Sequence, residues 1–188
     1  AAPTNPFVPG AEGAGTVIAV GDGVSDLAVG DRVAYVVGLG SYAEERLLPA
    51  DRAVKVPDGI DLEIAAGAML KGMTVEYLLL RTYPVKKGET ILFHAAAGGV
   101  GSMAGRWAKS LGARVIGTVG SEEKAELARA NGYDEVINYR SEDFVARVKD
   151  LTDGKGVDVV YDSVGKDTFP GSLDCLKPRG MWVSFGQS

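Results

Sequence analysis

A chain of 188 residues with 46% hydrophobic and 24% charged content has the make-up of a folded globular protein, enough for one domain or one and a half. Its net charge of −5 comes with no basic cluster, which argues against nucleic-acid binding by phosphate neutralisation, and no apolar run approaches the ~18 residues of a membrane-spanning helix. The single cysteine, Cys175, excludes an internal disulfide or a multi-cysteine zinc site; it reads as a small buried hydrophobe in a reducing, cytoplasmic setting.

The first residues, Ala1-Ala2-Pro3-Thr4-Asn5-Pro6, read as an extended lead-in without a signal-peptide pattern, and the absence of an initial Met points to a trimmed chain. Residues 1–60 hold short apolar runs at 15–20, 32–37, 42–48 and 53–56, parted by turn signals at Gly21-Asp22-Gly23 and Gly30-Asp31. That is a β-rich texture with no helical period. From 61 the texture changes. Residues 61–80 read as a helix rich in Ala, Met and Leu, broken near Lys71-Gly72, and Pro84 to Gly88 form a linker within a connecting region of 61–88.

Residues 89–188 then alternate. Strands are predicted near 90–94, 113–119, 134–138, 157–162 and 180–185, with helices at 99–111, 121–131, 141–150 and 166–176. Strands joined by crossovers of this length predict a parallel, doubly wound sheet, so the fold class is α/β. A complete dinucleotide fold has six strands; five are legible here.

The first strand–helix junction carries the strongest signal. His94-Ala95-Ala96-Ala97-Gly98-Gly99-Val100-Gly101 ends an apolar strand and opens a helix that buries Met103, Ala104, Trp107, Ala108 and Leu111. The pattern is G-x-G-x-x-G with Ala96 in the first glycine's place, set in a βαβ unit of about thirty residues. Such a turn offers backbone N–H groups and a helix N-terminus to a pyrophosphate. Gly98 lets the backbone approach the ligand, and Gly101 lets the helix pack closely on the strand.

An NAD site places a carboxylate at the end of the second strand, to hold the ribose 2′-hydroxyl. Here that strand ends Thr118-Val119-Gly120-Ser121, with no acid at the strand end, which favours NADP. Lys124 lies one turn into the next helix, Ser121 can donate a hydrogen bond, and Tyr139-Arg140 offers an aromatic wall and a second cation. The structural alternative stays open. Ser121 is also a good N-cap, Glu122 and Glu123 suit the positive end of a helix, and Lys124 and Arg140 can be simply solvated. Glu122 could reach a ribose hydroxyl if the turn is shifted.

These stretches, with Gly117-Thr118-Val119-Gly120, Val136-Ile137-Asn138-Tyr139-Arg140, Val160-Tyr161-Asp162-Ser163-Val164-Gly165 and Ser184-Phe185-Gly186, resemble the zinc-independent medium-chain dehydrogenase/reductase superfamily, and within it the NADPH:quinone oxidoreductase (zeta-crystallin-like) family. Pro9-Gly10-Ala11-Glu12-Gly13-Ala14-Gly15 and Gly30-Asp31-Arg32-Val33 are similar to that superfamily's GroES-like catalytic domain. The resemblance implies a Rossmann domain at 89–188 lacking its last strand, a partial GroES-like domain at 1–60, and a chain that is the middle of a larger protein. It implies NADP(H) in a cleft between the two domains. Ala97, Gly98, Gly99, Val100 and Gly101 would meet the pyrophosphate; Gly120, Ser121, Lys124 and Tyr139 the 2′-phosphate end. Ser163 and Val164 would line the adenosine and ribose path, Thr74 would sit near the nicotinamide, and Phe185 and Gly186 would flank it. The implied protein is a cytoplasmic quinone reductase, homodimeric at full length, with a small-molecule substrate, no metal, no membrane and no nucleic acid.

Hydride transfer asks for orientation and exclusion of water more than for a strong acid or base. One Cys and one His leave little from which to build a catalytic zinc, which needs three protein ligands. His94 ends a buried strand and reads as a packed, hydrogen-bonded histidine; Glu12 as bonded to backbone or a cation; Asp162 as a fixer of local turns. No catalytic acid is assigned, and water can supply a proton. Two other readings stand beside the quinone reductase: an NADPH-dependent enoyl or alkenal reductase, and a cofactor-binding protein with little catalysis.

Overall fold

The computed structural model describes residues 6–186, so the lead-in expected at Ala1 to Asn5 lies outside the described residues. The chain divides into two compact units between Met73 and Thr74.

The first unit carries a three-stranded antiparallel sheet in the order β1 (Glu12–Thr16), β2 (Arg32–Val36), β3 (Ala53–Lys55). Val33, Ala34 and Tyr35 of the central strand are its buried residues, and the Arg46 guanidinium lies 5.1 Å from the centre of the Tyr35 ring. The first strand falls at 12–16 rather than at the apolar run 15–20. Glu12 pairs with Val36 and Thr16 with Arg32, which draws the glycine-rich segment into the ladder and leaves Ile18 and Val20 exposed. Gly13 and Gly15 hide this strand from propensity, because glycine is depleted in strands. Gly13 faces Tyr35, whose ring occupies the space of a side chain there. Residues 42–45 form bends and 46–48 are irregular, not the expected strand; the charged Glu44-Glu45-Arg46 breaks the alternation, and Leu47 is 97% exposed.

The division falls within α1 (Leu62–Tyr77), which runs unbroken through Lys71-Gly72, against expectation. Just before the suspected break, the Lys71 side chain folds back along the helix and donates to the Gly67 carbonyl at 3.2 Å. The helix passes into a π-helical turn, Leu78–Thr82, and Pro84 follows, where a helix cannot continue.

The second unit is a five-stranded parallel sheet in the order β6 (Glu135–Asn138), β5 (Arg114–Val119), β4 (Thr90–Phe93), β7 (Val157–Asp162), β8 (Leu176–Ser184). Alternate residues feed two cores on opposite faces. Ile91, Phe93, Val115, Val159 and Tyr161 pack with Ala104 and Ala108 of α2 (Gly99–Ser110) and Ala125 and Ala128 of α3 (Glu122–Ala130). Leu92, Ile116, Ile137 and Val160 pack with Val148 of α4 (Phe144–Leu151) and with Cys175. Strand order reverses at β4, and in doubly wound sheets such a switch point opens a crevice at the carboxyl ends of the strands on either side.

Two boundaries move. The last helix, α5, is Phe169–Asp174 rather than 166–176, because residues 163–168 are held in the loop that Asp162 organises. β8 begins at Leu176, not 180. Its pairing with β7 shifts register between Val157 and Val159, and Arg179 takes a φ of 67°, so Lys177-Pro178-Arg179 is an irregular strand rather than a turn. An outer strand of the sheet tolerates the proline.

Candidate functional site

The turn after β4 is fixed by backbone to both neighbouring strands. His94 N–H donates to the Tyr161 carbonyl of β7, and Ala96 N–H to the Thr118 carbonyl of β5, each at 3.0 Å. Ala95 takes a φ of 52°, and its carbonyl accepts from Gly98 N–H at 2.9 Å, which reverses the chain into α2. Gly98 is the N-cap, and no side chain caps the helix. The amides of Gly99, Val100 and Gly101 in the first turn therefore have no carbonyl one turn back to bond, and the helix dipole adds partial positive charge. Gly98 and Gly99 are exposed, Ala97 and Val100 half-buried and Gly101 buried. A Cβ on Gly101 would stand 2.7 Å from the Ala96 carbonyl oxygen. The residues present therefore fit a diphosphate: amides on the outside, glycine where the backbones meet.

The second group gathers where β5 passes into α3. A Cβ on Gly120 would stand 2.7 Å from the Tyr139 hydroxyl and 3.6 Å from Arg140 Nε, so Tyr139 and Arg140 both lie over the glycine. Tyr139 N–H extends the sheet, donating to the Val119 carbonyl at 3.1 Å. Ser121 is the N-cap of α3; its hydroxyl accepts from Lys124 N–H at 3.3 Å and keeps its own proton to donate. The Lys124 side chain is exposed. The Glu122 carboxylate is held by the Asn138 side-chain amide at 3.1 Å. Asn138 is a site residue that the sequence reading missed; its only signal there is a polar residue closing the third strand.

The third group follows β7. Asp162 is fully buried and its carboxylate accepts from Val164 N–H, Gly165 N–H, the hydroxyls of Thr168 and Ser172, and the Trp182 indole. Burial pushes its pKa up, but these hydrogen bonds and the neighbouring His94 outweigh it, and the net shift is downward. This anchoring shapes the loop carrying Ser163 and Val164. Gly186 comes alongside, its Cβ position 3.2 Å from the Ser163 carbonyl. Phe185 lies against Phe93 with ring centres 5.6 Å apart, and Phe93 stacks on Tyr161. A cavity of about 760 Å3 opens at the carboxyl ends of β7 and β8, lined in part by Val164, Lys166, Phe169, Trp182 and Gly186. Lys166, Phe169 and Trp182 were not anticipated. Thr74 lies half-buried on α1, beside the fully buried Val75.

His94 is buried, as its position at the end of a core strand suggested. The hydrogen-bond network assigns its tautomer. Ionised Asp162 can only accept, so the Ser172 hydroxyl donates to it and in turn accepts from His94 Nε2 at 3.0 Å. Nδ1 is then an acceptor, for the Thr118 hydroxyl at 2.8 Å. Burial drives the His94 pKa down to about 4, against the pull of Asp162, and the ring is neutral. Glu12 accepts from Leu70 N–H at 2.8 Å and from Lys71 Nζ at 3.0 Å. Burial raises its pKa, and these two donors more than offset that, leaving it lowered. Both residues serve structure. Among the described residues no cluster of three or more His, Cys, Asp or Glu side chains is placed to hold a metal ion, and no helix is long and apolar enough to cross a membrane.

Known proteins similar to this chain match it along its whole length. Residues 1–58 match the alcohol dehydrogenase GroES-like domain, and residues 99–188 the domain described as zinc-binding dehydrogenase. A quinone oxidoreductase of Pseudomonas aeruginosa is 58% identical across the whole chain, which spans 58% of that protein. A 2-haloacrylate reductase of Burkholderia is 54% identical over 97% of the chain and 56% of its own length. The crystal structure of Escherichia coli quinone oxidoreductase complexed with NADPH superposes with a TM-score of 0.95 at 53% identity, covering 100% of this chain and 58% of that one. The chain thus spans a little over half the length of the proteins it matches.

Proposed function

The chain belongs to the medium-chain dehydrogenase/reductase superfamily, and on that premise we propose that the full protein is a zinc-independent, NADPH-dependent reductase of quinones. The observation that carries the reading is the pairing of two features on one sheet edge. One is an uncapped, glycine-lined turn for the diphosphate. The other is a β5 end with no strand-end carboxylate, where Arg140 and Tyr139 lie over Gly120 and Lys124 stands one turn along. A 2′-phosphate is favoured there, and a bare 2′-hydroxyl has no acid to hold it.

In this reading Ala97, Gly98, Gly99, Val100 and Gly101 bind the diphosphate, and Gly120, Ser121, Lys124 and Tyr139 the 2′-phosphate. Ser163 and Val164 follow the ribose path, while Thr74, Phe185 and Gly186 border the nicotinamide. The bound coenzyme supplies a hydride. The residues of this chain orient the coenzyme and exclude water; none is needed as a strong acid, since a quinone accepts hydride readily and water can protonate the product. Its single cysteine suits a cytoplasmic enzyme, and the resemblance to its family supports a homodimer.

The likeness to a 2-haloacrylate reductase favours one second reading, reduction of an activated carbon–carbon double bond by the same coenzyme. Titration of the full chain with NADPH and NADH, followed by turnover with 1,4-benzoquinone and 2-cyclohexenone, tests both. Tighter NADPH binding and benzoquinone-dependent oxidation are expected. Tighter NADH binding overturns the coenzyme assignment, and turnover of the enone alone selects the second reading.

A further inference from the structure

Two acids, Glu122 and Glu123, open α3 beside the end of β5, and Glu122, the nearer in sequence, is restrained by a side-chain hydrogen bond. Asn138 closes β6 and pairs in register with Val119, the last residue of β5, so its side chain sits beside the start of α3. Its Oδ1 accepts from Arg140 N–H at 3.2 Å, which fixes the orientation of the amide, and Nδ2 then donates to Glu122 Oε1 at 3.1 Å. The Asn138 N–H donates to Glu142 Oε1 at 3.2 Å, and its carbonyl accepts from Ser141 and Glu142 N–H, so the backbone under this side chain is fixed as well. One amide thus holds the backbone of Arg140 on one side and the Glu122 carboxylate on the other. Glu122 is exposed and lies at the first position of α3. Released, it has three rotatable bonds and would reach the space beside Gly120.

We propose that Asn138 is a positioning residue for coenzyme choice, which secures preference for a 2′-phosphorylated dinucleotide by tethering Glu122 away from the phosphate. The inference rests on the NADPH assignment above. A free carboxylate opposes a dianionic phosphate through Coulomb repulsion, and it offers an acceptor to a 2′-hydroxyl, so release acts in opposite directions on NADPH and NADH. With partial screening, the affinity ratio should shift about tenfold.

The test is equilibrium binding of NADPH and NADH to four forms of the full chain: wild type, Asn138→Ala, Glu122→Gln and the double variant. Asn138→Ala should move the NADPH/NADH affinity ratio about tenfold toward NADH, and adding Glu122→Gln should restore it. Glu122→Gln alone, with the tether intact, should change the ratio less than about twofold; this arm holds even if Asn138→Ala does not fold. An equal loss of both coenzymes in Asn138→Ala, a double variant that is not rescued, or a large gain in NADPH preference from Glu122→Gln alone overturns the proposal. A wild type without preference for NADPH overturns the coenzyme assignment, and the tether's role with it.

Discussion

A methyl group on Gly101 would stand 2.7 Å from the carbonyl oxygen of Ala96, nearer than side-chain carbons approach oxygen in folded proteins. The first turn of α2 is therefore seated directly on the backbone of the turn before it. Gly101→Ala should cost about 2–4 kcal/mol, read as a lowered urea midpoint, and should weaken dinucleotide binding, because the amides at positions 97–101 must shift. Gly72 supplies the contrast. It lies in α1 with nothing within 4 Å of its Cβ position, and Gly72→Ala should gain about 0.5–1 kcal/mol. The same loss at both sites would remove steric contact as the explanation.

His94 predicts a pH dependence of stability. Its pKa falls from an ordinary 6.5 to about 4 in the folded state, so between those values the unfolded chain binds a proton that the folded one does not. Stability is then full above about pH 6.5, declines as pH falls toward 4, and is flat with respect to this group below that. The difference amounts to roughly 3 kcal/mol. Asp162 acts in a separate window, since its lowered pKa places its contribution at more acid pH. Denaturant midpoints at pH 7.5 and 4.5 should differ markedly in the wild type and much less in His94→Gln. An equal difference between the two pH values in both proteins would mean that folding does not lower the pKa of the His94 ring.

Lys124 is exposed, and its role in the proposed site is one of charge. Lys124→Glu should weaken NADPH by tenfold or more, about 1.4 kcal/mol per factor of ten, and NADH by no more than two- to threefold. The difference should shrink as salt is raised. Equal losses for the two coenzymes would count against Lys124 as a phosphate partner.

Cys175 has no exposed surface, and burial, with Asp174 nearby, pushes its thiol pKa up to about 12. The native protein should resist Ellman's reagent at pH 8, reacting only at the rate at which it unfolds. One thiol titrated within minutes in the absence of denaturant would contradict the buried position.

Much of the second unit was legible because its strands are buried on both faces. The runs at 90–94, 113–119 and 157–162 are nearly continuous in apolar residues, and β4, β5 and β7 fall within one residue of them at each end. The first unit hid its strand at Glu12–Thr16 behind glycines, where pairing with β2 decides the structure and propensity does not. α1 concealed its continuity because Gly72 lowers local helix propensity, while a helix continuous over Leu62–Tyr77 tolerates one glycine. β8 concealed its start behind Pro178, tolerable only with a bend that the register shift reveals. At the site, Ser121 as a cap was readable from residue type and position. The tie between Asn138 and Glu122 was not, since it depends on which residue of β6 faces Val119, a matter of sheet register that no local pattern carries.

At Gly98 the leading end of α2 is left without a side-chain cap. A helix with no lid of its own at its leading end draws part of its cohesion from whatever anion settles there. If the coenzyme takes that place as proposed, the free energy of unfolding rises by RT ln(1 + [L]/Kd) as the occupant grows more abundant, and a cell rich in that nucleotide also shelters the protein from unfolding and proteolysis.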